Sequence, residues 1–105
     1  MRLIDGLQQR TYSQGDYVVR EGEPGEEFFI IEQGQLDCIR GEAELVRSLI
    51  QGDHFGEVAI IKHVKRTLSV RVSSDSAKVL VLSRQAFERI LGTIREDLMA
   101  DYLQY

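Results

Sequence analysis

The sequence predicts an α+β fold that is mainly β, with a jelly-roll barrel or β sandwich at its centre and helices at both ends. Between residues 17 and 82, short apolar or alternating segments recur at close spacing, and this two-residue periodicity is that of β-strands. Clusters of turn-forming residues, most of them containing glycine, separate the segments. Many short strands joined by regular turns are typical of sandwiches and jelly rolls.

The N-terminal end predicts a short helix, because Met1, Leu3, Ile4 and Leu7 fall at helical spacing. From Thr11 onward the pattern changes to that of strands. Strands are predicted at residues 17–20, 27–32, 35–40, 44–49, 66–72 and 78–82, with turns at 15–16, 22–25, 34, 41–42 and 74–76.

The C-terminal end predicts two helices. Ser83 is a suitable N-cap for the first, which is expected to stop at Gly92. Thr93, with Glu96 three residues later, has the spacing of a capping box and predicts the start of the second helix. The apolar positions at helical spacing are Ala86, Phe87, Ile90 and Leu91 in the first helix, and Leu98, Met99, Tyr102 and Leu103 in the second.

Composition sets the class of protein. At 105 residues and 43% hydrophobic content, residues 1–105 are expected to form one domain. The net charge of -4 and the scattered basic residues argue against a nucleic-acid surface. The single cysteine excludes an internal disulfide and suggests a reducing, cytoplasmic environment, and with two histidines it does not supply a usual zinc site. No apolar run approaches the ~20 residues of a membrane span.

The stretch from residue 52 to 70 predicts a binding site for an anion that also carries a hydroxyl group. Gly56 allows a backbone to approach a ligand closely, and a helix starting near Glu57 directs unpaired N–H groups outward. Arg66 adds a permanently charged, planar donor. Glu57 would repel an anion, so a hydroxyl donor is the better partner for its carboxylate. A sugar phosphate or nucleotide offers both groups.

The run Phe-Gly-Glu-Val-Ala at residues 55–59, followed by Arg66-Thr67 and a strand, resembles the phosphate-binding cassette of cyclic nucleotide-binding domains. The resemblance covers nearly the whole chain and implies an eight-stranded β jelly-roll barrel, a short phosphate-binding helix, an N-terminal helix, and C-terminal B and C helices. It implies further that Gly56 and Glu57 hold the ribose 2′-hydroxyl, and that the N–H groups of Val58 and Ala59, with Arg66, bind the cyclic phosphate. Lys65 stands where a proline often precedes the arginine.

The resemblance is greatest to cGMP-dependent protein kinases, which implies cGMP as the ligand and cAMP as the alternative. Thr67 offers a hydroxyl to the phosphate and to the guanine 2-amino group, where cAMP-binding subunits usually carry alanine. The segment Val46-Arg47 resembles the strand from which an arginine donates to the guanine edge. A lid over the base is expected from Tyr102, Gln104 and Tyr105, although the tyrosines are also explained by packing of the last helix.

The resemblance implies a regulatory module that has no catalytic residues, no metal and no cofactor beyond its ligand. It would act through its C-terminal helix on a serine/threonine kinase catalytic domain in the same or another chain. A cAMP-binding regulatory subunit is the main alternative. A transcription factor of the catabolite activator type would need a helix-turn-helix after the last helix, and a cupin-type metalloenzyme would need more histidines.

Each candidate residue also has a plain structural explanation. Glu57 suits a helix start on electrostatic grounds alone, and Arg66 could form an ordinary surface ion pair. Thr67 could lie on the solvent face of a half-buried strand, and Arg47 shares its side of a strand with Leu45 and Leu49. Cys38 is most simply a buried apolar residue.

Overall fold

The computed structural model describes residues 7–94, and side chains as far as residue 90. This part of the chain contains eight strands and two helices. In chain order they are β1 (Leu7–Ser13), β2 (Tyr17–Val19), β3 (Glu27–Gln33), β4 (Leu36–Arg40), β5 (Glu44–Leu49), β6 (His54–Phe55), α1 (Glu57–Lys62), β7 (Ser69–Val72), β8 (Ser76–Ser83) and α2 (Arg84–Ile94).

The strands form two four-stranded antiparallel sheets, ordered β1-β8-β3-β6 and β2-β7-β4-β5. Because side chains alternate across a strand, each sheet directs one face inward: Ala77, Val79 and Val81 of β8 are buried, whereas Lys78 is exposed. The core they join also contains Phe29, Ile31, Leu36, Cys38, Phe55, Val70 and Val72. The mainly-β prediction is therefore confirmed, and the closed barrel with flanking helices stays a prediction.

The N-terminal boundary was predicted wrongly at Leu7. This residue does not continue a helix but opens β1, which pairs with β8 from Leu7–Leu82 to Ser13–Ser76. β1 lies at the edge of its sheet and is mostly polar, so its sequence lacks the apolar alternation by which the other strands were predicted. The rest of the predicted helix, residues 1–6, lies outside the described residues.

Two further strand predictions differ from the structure. The strand predicted at 66–72 begins only at Ser69, because the backbone of Arg66 is bonded instead to the loop before β3: its N–H donates to Glu23 O, and its carbonyl accepts from Gly22 N, each at 2.8 Å. The two-residue strand β6 was missed, since a pair such as His54-Phe55 shows no periodicity.

The helix after Ser83 begins as predicted and ends later. Ser83 Oγ accepts a hydrogen bond of 3.2 Å from Ala86 N, which confirms it as the N-cap. The helix then continues through Gly92 and Thr93 to Ile94, so the stop at Gly92 and the capping box at Thr93 were wrong. A glycine inside a helix costs only about 1 kcal/mol relative to alanine, which continued backbone hydrogen bonding can offset. Tyr102, Gln104 and Tyr105 lie outside the described residues.

A small apolar cluster connects the two helices. Ile60 and Ile61 of α1 are buried in one cluster with Phe87 of α2, and Phe28 of β3 packs against this cluster. The helix beside residue 56 is thereby held against the helix that leads toward the C-terminus. Within residues 7–94, neither helix combines the length and apolar content needed to cross a membrane.

Candidate functional site

A cleft with a cavity of about 130 Å³ lies between α1, the segment before β7, and the facing strands β4 and β5. It brings together every predicted ligand-binding residue except Val46, although these residues come from three separate parts of the chain. The lining residues are Val19, Cys38, Arg47, Phe55, Gly56, Glu57, Val58, Ala59, Lys65, Arg66, Thr67, Leu68 and Val70.

The floor of the cleft starts at the glycine before α1. Gly56 has φ 102°, a left-handed backbone conformation that residues with a side chain rarely adopt. It is the N-cap of α1 and makes no side-chain capping hydrogen bond. A Cβ atom at Gly56 would lie 2.7 Å from Glu27 O and 2.9 Å from Arg66 Nη1. Glycine is therefore needed for conformation and for space. The next N–H groups, on Val58 and Ala59, lie in the first turn of α1, where a helix supplies no acceptor of its own.

Arg66 is buried, with 8% of the residue exposed, and this excludes the surface ion pair. Its Nη1 donates to Gly56 O at 3.2 Å and its Nη2 to Glu27 O at 2.9 Å. Its guanidinium also lies 5.6 Å from the centre of the Phe29 ring. Burial lowers the pKa of Arg66, and the carboxylates of Glu27 and Glu23 partly oppose this. An arginine starts from so high a pKa that the group remains a cation at neutral pH.

The loop before β3 fixes this arginine in place, and sequence reasoning treated that loop only as a turn. Pro24 forms a β-bridge with Lys65, next to the paired backbones of Arg66 and Glu23. A Cβ atom on Gly25 would lie 2.2 Å from Ala59 Cβ and 3.0 Å from Arg66 Cζ. Gly25 therefore permits α1 and the arginine to meet. Its position after Pro24 was a turn signal, but nothing local pointed to Arg66.

Glu57 carries the most unusual feature of the cleft. Its side chain is only 14% exposed, and its Oε2 atom is buried without a hydrogen-bond donor among the described residues. The nearest cationic candidate, His54 Nδ1, lies 3.6 Å away, beyond hydrogen-bond distance. A buried carboxylate oxygen with no donor is costly, so this atom requires a partner that donates. The helix-start explanation of Glu57 accounts for its position but leaves this atom unexplained.

The opposite wall is formed by Arg47 and Cys38, which are cross-strand partners on β5 and β4. The register shifts just beyond this pair, so that Cys38 faces Arg47 while Ile39 faces Leu45, and Val46 falls in the irregularity. Val46 is 40% exposed and does not line the cleft. Its contact with a ligand stays a prediction that the geometry does not favour.

Cys38 lies beneath Arg47 and is 3% exposed, which confirms it as a buried residue. Burial raises the pKa of its thiol, and the nearby Arg47 opposes this only in part. The sulfur is thus a neutral part of the wall at neutral pH.

Thr67 lines the cleft from the segment between Arg66 and β7. Because β7 begins two residues later, Thr67 is not on the solvent face of a strand. The plain structural explanation of this residue was therefore wrong about the strand, but its expected exposure to solvent is confirmed.

Comparisons with known proteins agree with this geometry. The model of the cyclic nucleotide-binding domain matches residues 9–93. The chain is 38% identical over 93 residues to a cAMP-dependent protein kinase regulatory subunit of Hypocrea atroviridis, covering 89% of this chain and 20% of that protein. It is 37% identical over 106 residues to the cGMP-dependent protein kinase egl-4 of Caenorhabditis elegans, covering 96% of this chain and 14% of that protein.

A solved structure has the same fold: the regulatory domain of Toxoplasma gondii PKA with cAMP, with a TM-score of 0.81, 30% identity, and coverage of 96% of this chain and 40% of that one. The chain spans a fifth or less of the length of the two kinase proteins named above. The matched residues include the whole of the cleft described above. The chain belongs to the cyclic nucleotide-binding domain family.

Proposed function

We propose that this domain binds a cyclic nucleotide in the cleft, with cGMP preferred to cAMP, and that it serves as a regulatory module of a cytoplasmic serine/threonine protein kinase. The proposal rests on one observation: the cleft contains both a buried acceptor that has no donor among the described residues and a group of donors suited to an anion. Glu57 Oε2 is buried without a donor, while Arg66 and the uncapped start of α1 are donors suited to an anion. A ligand with a ribose hydroxyl beside a phosphate meets both needs.

In this proposal, Glu57 accepts a hydrogen bond from the ribose 2′-hydroxyl with help from Gly56 N–H. The N–H groups of Val58 and Ala59 and the guanidinium of Arg66 bind the phosphate. The backbone carbonyls that hold Arg66 use one N–H of each Nη atom, and a guanidinium has five N–H donors in all. Arg66 is therefore anchored by the protein and still able to donate to a ligand.

The preference for guanine rests on Thr67 and Arg47, which line the cleft on separate elements. A threonine hydroxyl can accept from the guanine 2-amino group, which adenine lacks. An arginine donates to the acceptors on the guanine edge, where adenine presents a donor. The relatives do not decide between the ligands, because cAMP- and cGMP-dependent kinases match this chain at 38% and 37% identity. A cAMP-binding regulatory subunit is accordingly the second candidate.

Calorimetric titration with cGMP and cAMP tests the proposal. We expect tighter binding of cGMP, and we expect Thr67→Ala to weaken cGMP binding by about two- to tenfold, the worth of one hydrogen bond, with little change for cAMP. Thr11→Ala, which removes an exposed threonine hydroxyl on β1, is the matched control and should leave both affinities unchanged. Equal affinities for the two nucleotides would refute the guanine preference, and the absence of binding to either would refute the site.

Signalling is proposed to pass from α1 to the C-terminal helix. Ile60 and Ile61 of α1 already share a packed cluster with Phe87 of α2, so a shift of α1 on ligand capture changes the contacts of α2. The residues after 94 would then close over the base, with Tyr102, Gln104 and Tyr105 as the expected lid. A kinase catalytic domain in the same or another chain would respond to this helix, through a coupling of about 1 to 3 kcal/mol.

Hydrogen exchange measures this closure directly. We expect cGMP to slow the exchange of amides in residues 95–105, because closure of the proposed lid over the base would protect these amides. Amides of β8, which is hydrogen-bonded on both sides, serve as the internal reference. Equal protection of residues 95–105 with and without saturating cGMP would rule out the proposed relay.

A further inference from the structure

A side chain beside the cleft, His54, approaches Glu57, and the proposed binding of a cyclic nucleotide does not by itself account for it. His54 is the first residue of β6, pairs with Ile30 of β3, and lies three residues before Glu57, the first residue of α1. Its Nδ1 lies 3.6 Å from the buried, unpartnered Oε2 of Glu57. A movement of less than 1 Å would turn this approach into a hydrogen bond of ordinary length.

The imidazole is held on one side and open to solvent on the other. Its ring centre lies 5.5 Å from that of Phe28, at a tilt of 42°, and Phe28 in turn lies 4.7 Å from Phe87 of α2. The His54 side chain is nevertheless 49% exposed. The ring therefore packs against Phe28 on one side while protons reach it from water on the other.

Among the described residues, Glu57 of α1 is a charged side chain within 4 Å of His54 Nδ1, and the aromatic ring beside the imidazole is that of Phe28 on β3. Arg66 also interacts electrostatically with Glu57. A ligand that changes the electrostatic environment of Glu57 would therefore also change the interaction between Glu57 and His54.

We propose that His54 is a positioning residue that takes up a proton when the ligand binds, so that its Nδ1–H donates to Glu57 Oε2 beside the ribose hydroxyl, since one carboxylate oxygen can accept two hydrogen bonds. The inference rests on the proposed function. A bound nucleotide displaces water from the Glu57 carboxylate and adds a phosphate anion to the cleft. Loss of water strengthens the attraction between the carboxylate and a cationic imidazole, and the added anion attracts the same cation directly.

Proton uptake has a sign that experiment can measure. Imidazole side chains change charge between about pH 5 and 8, so uptake on binding means that cGMP binds more tightly as the pH falls through this range. A partly exposed ion pair has a modest effect, and we expect a gain of about two- to fivefold between pH 8 and pH 6. A purely structural role for His54 would give no such slope.

The experiment is calorimetric titration of cGMP at pH 6.5 in two buffers of different ionisation enthalpy, which yields the number of protons bound. The wild-type chain should take up protons. His54→Phe, which keeps a ring against Phe28, should take up none and bind less tightly at pH 6. His54→Asn, which keeps an N–H close to the position of Nδ1, should regain affinity without pH dependence. The chain has only two histidines, so His63→Gln is the matched control and should retain the uptake.

The outcomes separate the two proposals. Absence of binding heat with both cGMP and cAMP would overturn the proposed function. Normal binding with no proton uptake, with proton release, or with uptake that persists in His54→Phe would overturn the role of His54 and leave the proposed function intact.

Discussion

Replacing Arg66 with alanine is expected to weaken cGMP binding by about 100-fold. A hydrogen bond to a charged group is worth roughly 1.5 to 3 kcal/mol, and the guanidinium can form more than one with a phosphate. The protein also holds this cation in place, through Gly56 O and Glu27 O. The measurement is the dissociation constant for cGMP by calorimetry, at fixed ionic strength.

Folding must be separated from binding in this variant, because the alanine would leave two buried carbonyl groups without their donor. Urea unfolding gives the stability of the variant, and Arg66→Lys gives a second measure. Lysine keeps the charge but lacks the planar fork that reaches two carbonyls and a phosphate together, so it should recover only part of the affinity. Arg71→Ala is the control, since Arg71 contacts the Tyr17 ring at 5.9 Å and does not line the cleft. A folded Arg66→Ala protein that binds cGMP within threefold of wild type would contradict the assignment.

The position of Arg66 in the cleft could be predicted from the sequence, but the groups that hold its side chain there could not. The residue follows α1 closely, so a local motif was enough to select it. Its anchors, Glu27 O at the start of β3 and the backbone of Glu23 in the loop before it, lie about 40 residues earlier in the chain. The pattern of side chains along a sequence does not show which backbone carbonyls will accept a hydrogen bond. The backbone hydrogen bonds to the loop before β3 also explain why β7 starts at Ser69 and not at Arg66.

The same division holds on the other wall of the cleft. Arg47 could be placed on a strand, and the structure puts it in the cleft opposite Cys38. Whether Val46 joined it depended on one register shift between β4 and β5, and a single-residue irregularity of this kind is set by pairing rather than by the composition of the strand. The unpartnered oxygen of Glu57 and the nearness of His54 likewise follow from packing.

Gly56→Ala is expected to have the second large effect, and Gly52→Ala tells its two causes apart. Both glycines have left-handed backbones, with φ 102° at Gly56 and 93° at Gly52. A methyl group at Gly52 would meet nothing within 4 Å, whereas at Gly56 it would lie 2.7 Å from Glu27 O and 2.9 Å from Arg66 Nη1. Both variants should lose about 1 to 2 kcal/mol of stability from the backbone alone.

Only Gly56→Ala should also displace Arg66 and the start of α1, so its affinity for cGMP should fall by about tenfold or more, while Gly52→Ala should bind within about twofold of wild type. Urea unfolding and calorimetry on both variants supply the two numbers for each. Equal losses of affinity would mean that the left-handed conformation alone matters at residue 56. A larger loss in Gly56→Ala would show that the close approach of Arg66 to the glycine backbone is what places the cation for the phosphate.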